Sequence, residues 1–481
     1  MAANRIRTMA AVVAAMICAS SAARADLAIS SKPTQNVSCS SGTCTATARK
    51  AVLNVGELTG MLGSGDITVG TGGIAKDIQI SAALSWANTS RLTLDADRSL
   101  IVKQPVTVAG SGALTLSSNG GHQKVDLEFF GKGSVQFWDL SSNLVINGKS
   151  YTLVGDIAAL AADIAANPSG SYALARPYDA SADGTYGSSP IPTTFEGTFE
   201  GLGNAFLNLK VQYSPSQSDT IGLFAFVNFS GEVRNAILVK TNAFSAGDSA
   251  GGALVGINDG IVSRSRASGV VRALQGQKPL GGLVGANSGT ISSSHADVKT
   301  IHNGASADVG GLVGYNQGVV ERSYADGAVK SGASNNTGGL VGDNQGLVEN
   351  SFSTSLVHEA KSCCTQGNFG GLVGKNETAG RIASSYAAGT IGQKGNLVTL
   401  GGLVGFDGSQ AGNITTSYWD LDMGVGDPSQ GAGNIPNDQG ITGLTTVQLQ
   451  SELPQGFDPH VWGEDPNINN GLPYLLALES K

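Results

Sequence analysis

The stretch GGLVGYNQGVVERSYADG, residues 310–327, is followed by GGLVGDNQGLVENSFSTS at residues 338–355. Both segments carry glycine, leucine, asparagine, serine and an aromatic residue in the same order, which marks an internal repeat. The repeated leucine recurs at intervals that are, by subtraction, 31, 29, 29, 28, 32 and 31 residues: Leu223, Leu254, Leu283, Leu312, Leu340, Leu372 and Leu403. This near-constant period predicts a solenoid rather than one closed domain.

Each later copy places the same residue types at the same distances from its leucine. Four residues on stands an asparagine, replaced by Asp407 in the last copy: Asn258, Asn287, Asn316, Asn344 and Asn376. A glycine, an aliphatic residue and a serine follow, and the position after the serine is aromatic in most copies. Asn-x-Gly between short apolar runs predicts a turn, and equivalent asparagines on stacked coils can form a ladder of amides.

Three short strands and three turns in about 30 residues make one coil of an all-β solenoid, with a rise of about 4.8 Å per coil. We therefore predict that Leu254, Leu283, Leu312, Leu340, Leu372 and Leu403 form one buried column, and that the five asparagines have structural roles. The residue before each serine varies in type, which argues against a fixed carboxylate cluster on that face: Arg264, Ser293, Arg322, Asn350, Ser384 and Thr416.

The chain ahead of the array also has strand-like runs, at 67–69, 78–80, 92–94, 100–102, 106–108, 114–116, 125–129 and 135–137. Ile157, Leu160, Ala161 and Ile164 form one apolar helical face, so one short helix is predicted near 156–167, where it caps a solenoid end or fills a join. The predicted organisation is a signal peptide at 1–25, a solenoid segment at 26–140, a connector at 141–212, the array at 213–418 and a closing segment at 419–481.

The first 25 residues have the features of a cleaved export signal. Arg5 and Arg7 precede an apolar run too short to cross a bilayer, and Ala23-Arg24-Ala25 is a cleavage pattern. Removal takes away three arginines, so the mature net charge is −8 − 3 = −11. That charge argues against nucleic acid or an anionic membrane as a general partner. No later apolar run predicts a transmembrane segment in the mature chain.

Cysteine usage agrees with an oxidising compartment. Cys39 and Cys44 lie close together in CSSGTC, and we predict a disulfide between them. The adjacent pair Cys363 and Cys364 stays open between free thiols and an intermolecular bridge.

Candidate metal and catalytic residues give no complete motif. The five histidines are not paired at metal-binding spacing, and His295 is interpreted as a packing substitute in the aromatic position. A calcium loop starting at Asp420 would need a glutamate where Gly431 stands. A Ser-His-Asp triad stays open, because its members need not be adjacent in sequence. No catalytic, cofactor-binding or metal residues are assigned, and no cofactor is expected.

Residues from about 220 to 418 resemble the GLUG repeat family through GGLVG-x-N-x-G-x-[IV]-x-x-S-[YF]-A. The tail, with SYWD at 417–420 and WGEDPNINNGLPYL at 462–475, looks like the segment that follows such arrays. The segments SAALSW (81–86), RLTLDADRSLIV (91–102) and GSGALTL (110–116) are similar to filamentous haemagglutinin-like exoproteins.

The resemblance implies a right-handed parallel β-helix outside a bacterial cell, often with an adhesive role. GLUG repeats also accompany zinc-dependent IgA-specific peptidases that carry HExxH, but here His358-Glu359 is followed by Ala360-Lys361-Ser362, so the second histidine is missing.

We therefore expect an exported adhesin-like or cell-envelope binding protein, not an enzyme, secreted or at the cell surface, or periplasmic if no outer-membrane exporter exists. The alternative is a carbohydrate-active or carbohydrate-binding β-helix protein. Expected partners are a host or cell-surface receptor or a glycan, and a separate outer-membrane export or anchoring protein. We expect the loops between coils, including 358–368, to carry any recognition, because insertions in solenoids often form the binding face.

Overall fold

A computed structural model describes residues 26–118, 126–213, 220–332, 335–359, 367–392 and 398–478. In these ranges the chain forms an all-β parallel solenoid of about 12 turns with coils of ~29 residues. The predicted all-β solenoid is therefore confirmed. Within the same ranges no helix is both long and apolar enough to cross a membrane.

One sheet of 16 strands, here called the long sheet, runs through the whole solenoid. Its strands, in spatial order, are Val37–Ser40, Thr43–Ala46, Ile67–Gly70, Arg91–Ala96, Ala113–Ser118, Asn143–Ile146, Lys149–Val154, Ser171–Leu174, Thr198–Glu200, Glu232–Arg234, Ile261–Ser263, Thr290–Ser292, Val319–Glu321, Leu347–Glu349, Arg381–Ala383 and Ile414–Thr415. Its pairing is antiparallel at the first pair and again between Asn143–Ile146 and Lys149–Val154. The second antiparallel pair marks the join between two solenoid segments.

Two further sheets complete the first segment. One contains Asp126–Phe129, Ser99–Val102, Asp77–Ile80, Asp26–Ser30 and Ala51–Asn54, and the other Val135–Phe137, Val106–Val108 and Leu84–Trp86. The strand-like runs predicted ahead of the array all lie in strands, although residue 125 is outside the described ranges.

The array has three sheets besides the long sheet. The amide sheet contains Phe224–Val227, Val255–Asn258, Val284–Asn287, Val313–Asn316, Val341–Asn344, Val373–Asn376 and Val404–Asp407. The corner sheet contains Leu280–Gly281, Asp308–Gly310, Asn336–Gly338, Gly367–Gly370 and Val398–Gly401. The aromatic sheet contains Tyr178–Asp179, Ala205–Leu207, Lys210–Tyr213, Ile237–Ser245, Arg266–Ala273, His295–His302, Tyr324–Ala325, Ala328–Ser331, Phe352–Ser353, Leu356–Glu359, Tyr386–Ala387, Ile391–Gly392, Ser417–Asp420 and Ile441–Leu444.

Three short α-helices interrupt the strands: α1 at Val55–Leu62, α2 at Ile157–Ala166 and α3 at Thr446–Leu449. Helix α2 is the one predicted from the sequence, and Asp156 caps it by accepting a 2.7 Å hydrogen bond from the Ala159 amide. Its Ile157, Leu160 and Ile164 are buried in the core of the second segment, so α2 fills the join. The expectation of a single helix was wrong, because α1 contains two glycines and has a weak helical pattern.

The tail after Asp420 first adds to the end of the array. Ile441–Leu444 pairs with Ser417–Asp420 as a further strand, and the Gly431 carbonyl accepts hydrogen bonds from Leu403 and Val404. Residues from α3 to the 3₁₀-helix at Leu476–Leu478 then fold back over the outside of the aromatic sheet. A small antiparallel pair of Trp462–Gly463 and Tyr474–Leu475 and 3₁₀-helices at Ala180–Asp183 and Asn469–Gly471 complete the structure.

Candidate functional site

The repeated leucines lie inside the solenoid, one above the next. Leu254, Leu283, Leu312, Leu340, Leu372 and Leu403 are each 0% exposed. The backbone N–H of each donates to the carbonyl of the equivalent leucine in the next coil at 2.9–3.0 Å, up to Leu403. They therefore form a single apolar column along the axis.

The repeated asparagines form a continuous ladder beside that column. The Nδ2 of Asn258, Asn287, Asn316 and Asn344 donates to the Oδ1 of the next asparagine at 2.7–2.8 Å, and Asn376 donates to Asp407 at 3.1 Å. Each Nδ2 also approaches the carbonyl of the glycine that closes its own turn, as Asn316 does to Gly318 at 3.3 Å. All five asparagines are 0% exposed, so their polar atoms are used within the fold.

The corner before each repeated serine is left-handed, which the sequence analysis missed. Arg264, Ser293, Arg322, Asn350, Ser384 and Thr416 have φ between 46° and 50°. Most non-glycine residues avoid this conformation. The following serine supports the corner, since the Oγ of Ser294 donates to the Ser292 carbonyl at 2.9 Å and accepts from the Ser265 amide at 3.1 Å. The residues before the serines are therefore fixed by the backbone, whatever their side chain.

The first two glycines of GGLVG allow coils to approach closely. A Cβ on Gly310 would lie 1.9 Å from the Val313 carbonyl oxygen, and one on Gly311 would lie 2.0 Å from the Gly339 carbonyl oxygen. Neither distance is compatible with a side chain, so these positions require glycine.

The position after each serine builds a column of stacked rings. His295 and Tyr324 have ring centroids 4.7 Å apart, as do Tyr324 and Phe352, and Phe352 and Tyr386 are 5.0 Å apart with planes within 5°. The tail covers this column, with Trp462 at 5.8 Å from Tyr386, and the Tyr386 hydroxyl donates to the Pro473 carbonyl at 2.6 Å. His295 packs in the stack, and burial, aided by the charge of Arg266, lowers its pKa to about 3.

Cys39 and Cys44 lie directly opposite each other in the first hairpin and form a disulfide. Cys363 and Cys364, His122, and most of the loop 358–368 lie outside the described residues. Asp420 is 1% exposed, and its carboxylate accepts from the Thr446 hydroxyl and the Asp422 amide. In the described ranges no three His, Cys, Asp or Glu residues are placed to hold a metal ion.

A pair of carboxyl groups, Asp308 and Asp343, faces the angle between the corner and amide sheets. The Nδ2 of Asn336 donates to both, at 2.8 Å to Asp308 and 3.1 Å to Asp343. Burial raises the pKa of Asp308 to about 6 and that of Asp343 to about 8, with Asp308 and Glu377 adding repulsion at Asp343. Asp343 is therefore mostly protonated at neutral pH.

We expect Asp343→Asn to stabilise the protein at high pH. The pKa of Asp343 in the folded protein lies above its ordinary value of 3.8, so the stability it contributes below that pH is lost as pH rises towards 8. At pH 9 the variant should unfold at least about 1 kcal/mol later than the wild type, the free energy of roughly one pKa unit. Denaturant titrations at pH 4 and pH 9 test this, and an equal difference at both pH values would contradict it.

A charged cleft lies on the outer face of the long sheet, over the coils that contain Glu200 to Arg322. Its volume is about 440 Å³, and it is lined by Leu127, Glu128, Glu200, Glu232, Arg234, Asn235, Ile261, Ser263, Arg264, Thr290, Ser292, Ser293, Glu321, Arg322 and Ala477. The cleft brings together the first segment, the array and the end of the tail.

Strand register explains why polar side chains line this cleft. Glu200, Arg234, Ser263, Ser292 and Glu321 occupy the same outward position on five consecutive strands. They therefore lie in a row with the strand spacing of about 4.8 Å.

The charged groups of the cleft are only partly neutralised in pairs. Arg234 Nε lies 3.7 Å from Glu200 and 3.6 Å from Glu232, and Arg264 lies 3.2 Å from Glu128. Glu200 is 1% exposed, and burial raises its pKa, although the charge of Arg234 opposes this. The hydroxyls of Ser263, Thr290 and Ser292 and the carboxylates of Glu232 and Glu321 are partly exposed. Such a surface can exchange hydrogen bonds with a hydroxyl-rich ligand.

A smaller cavity of about 60 Å³ adjoins the cleft. The two share Glu128, Asn235, Arg264 and Ala477. The smaller cavity is also lined by Phe129, Phe130, Ile237, Arg266, His295 and Leu478, so it combines apolar walls with one further arginine.

Comparison with known proteins locates the repeat. Residues 305–330 match the GLUG motif. The chain therefore carries a GLUG repeat. The match to filamentous haemagglutinin-like proteins suggested for the N-terminal part stays a prediction.

Solved structures include a similar fold. The crystal structure of a "putative immunoglobulin A1 protease" from Bacteroides ovatus matches with 16% identity and a TM-score of 0.45, covering 69% of this chain and 93% of that one. This similarity carries no information on activity. Comparison with curated proteins finds no match.

Proposed function

We propose that this protein is an exported, adhesin-like solenoid that binds a glycan in the charged cleft. The observation that supports this most is the division of polar residues in the array. The repeated asparagines and serines are buried and bonded to one another, whereas Ser263, Thr290, Ser292 and the charged residues beside them face an open cavity. Sugar hydroxyls are both donors and acceptors, and they fit such a mixture of hydroxyls, carboxylates and guanidinium groups.

Export and surface placement are part of the same proposal. The basic and apolar N-terminal segment, the Cys39–Cys44 pair and the acidic charge of the mature chain support a role outside the cytoplasm. A separate protein would supply passage through, or attachment to, an outer membrane.

A blocking substitution tests the cleft. We expect Ser292→Tyr to weaken glycan binding at least about tenfold, because a ring at this position fills the middle of the outward row. The experiment measures retention of residues 26–481 on immobilised polysaccharides, followed by calorimetry with the best binder. Ala383→Tyr is the matched control, since Ala383 lies at the same outward position three strands further along the long sheet.

Equal binding by both variants, with unchanged circular dichroism, would contradict a role for the cleft. Failure of the wild type to bind any polysaccharide would contradict glycan binding itself.

The second candidate is a carbohydrate-active enzyme, favoured by Glu200 and Glu232, which flank Arg234 in the cleft and include one carboxyl group with a raised pKa. A raised pKa suits a general acid in glycoside hydrolysis. Appearance of new reducing or unsaturated ends during the same incubations would favour the enzyme, and retention without cleavage would favour the binding protein.

A further inference from the structure

The small cavity beside the cleft contains an arginine without a counter-ion. Arg266 lines this cavity, and its guanidinium group makes no hydrogen bond or ion pair within the part of the chain that the structure describes. Its neighbours Arg264 and Glu128 differ, because they pair with each other at 3.2 Å. An arginine that is partly removed from water normally has an anionic partner.

The fold holds Arg266 in this position. It occupies the ring position of its coil, directly in register with His295 and, on the other side, with Ile237. Its planar group therefore stands at the end of the column that begins with His295 and Tyr324. His295 is neutral at physiological pH because its pKa is about 3, so the pair carries one positive charge rather than two. The cavity thus has a fixed, single cation.

We propose that Arg266 binds the carboxylate of an acidic sugar, and that the glycan recognised in the charged cleft is one that carries uronic acid residues. A volume of about 60 Å³ exceeds the 10–15 Å³ that one water needs by a factor that suits a carboxylate group. A guanidinium group can bind a carboxylate through two parallel hydrogen bonds.

The surroundings favour a sugar as the source of the carboxylate. The cavity opens into the row of Ser263, Thr290 and Ser292, which offers hydroxyl groups next to the cationic end. The rings of Phe129 and Phe130 supply apolar surface at the same end. An acidic sugar at the Arg266 end would therefore place the following sugar units along the hydroxyl row.

The inference rests on the proposed function and is tested with a matched pair of ligands. Trigalacturonate and its methyl ester differ in charge but keep the same hydroxyl pattern. We expect the wild type to bind the acid at least about tenfold more tightly than the ester, as measured by calorimetry with residues 26–481. Arg266→Gln should remove this preference and leave affinity for the ester nearly unchanged.

Arg381→Gln is the control, because it removes the same charge from an exposed site on the long sheet outside the cleft. Arg266→Lys serves as a second variant if Arg266→Gln does not fold, and it should keep the preference only in part, since lysine cannot form the two-pronged contact.

An acid preference that survives in Arg266→Gln would overturn the inference, as would absence of trigalacturonate binding by the wild type. Wild-type binding of the acid and the ester with equal affinity would overturn the inference and leave glycan binding by the cleft standing. Absence of binding across the whole polysaccharide panel would instead reject the proposed function.

Discussion

Replacing Leu340 by alanine should lower the free energy of unfolding by about 2–5 kcal/mol, the usual cost of a large-to-small change in a core. Leu340 is 0% exposed and lies between Leu312 and Leu372 in the apolar column. The coils above and below are fixed by backbone hydrogen bonds, so they have little freedom to close the cavity that alanine leaves. A denaturant titration followed by circular dichroism measures the change.

Leu356→Ala provides the control for this experiment. Leu356 is 43% exposed and lies only 16 residues further along the chain. Its replacement should change stability by less than about 0.5 kcal/mol, as is usual for surface sites. Similar costs for Leu340→Ala and Leu356→Ala would contradict the buried column.

A comparable loss is expected for Asn316→Leu, which keeps the size of the side chain but removes its polar atoms. Asn316 accepts from Asn287 and donates to Asn344, each at 2.8 Å. The substitution leaves an amide group of Asn287 and the Oδ1 of Asn344 without these partners. Each buried polar group left unsatisfied costs about 1–3 kcal/mol, so the expected loss is about 2–6 kcal/mol.

The adjacent residue serves as the control for the amide ladder. Gln317 is exposed and donates to the Tyr315 hydroxyl at 2.6 Å. Gln317→Leu should therefore change the free energy of unfolding by less than about 0.5 kcal/mol. If Asn316→Leu is equally mild, the asparagines do not stabilise the stack and are available for another role.

The periodic features were predictable because each repeats one physical requirement. An inward leucine, an amide bonded to its copy and a glycine at a tight corner recur in every coil, so spacing alone predicts their roles. The left-handed corner at Arg264, Arg322 and Ser384 was not predictable in this way, since those residue types seldom adopt φ near 47°. Only Asn350, and Asn235 in an earlier coil, have the residue type that gives a sequence signal for it.

The charged cleft could not be derived from sequence, because its residues have no common spacing. Glu128, Arg234, Ser292 and Ala477 come from the first segment, the early array and the end of the tail. Their proximity depends on the tail folding back along the aromatic column. The sequence contained one usable signal, namely that the aromatic rings of the array needed a cover and that the tail holds Phe457 and Trp462.

The most direct test of the stacked coils is a set of distances between pairs of spin labels measured by pulsed electron paramagnetic resonance. Labels are placed at Asp259 and at one equivalent turn position in a later coil, Gln317, Glu377 or Gly408, with Cys363 and Cys364 replaced by serine. With a rise of about 4.8 Å per coil, the backbone separations are about 10, 19 and 24 Å for two, four and five coils. The account predicts a linear increase with coil number, and distances that do not grow with coil number would contradict it.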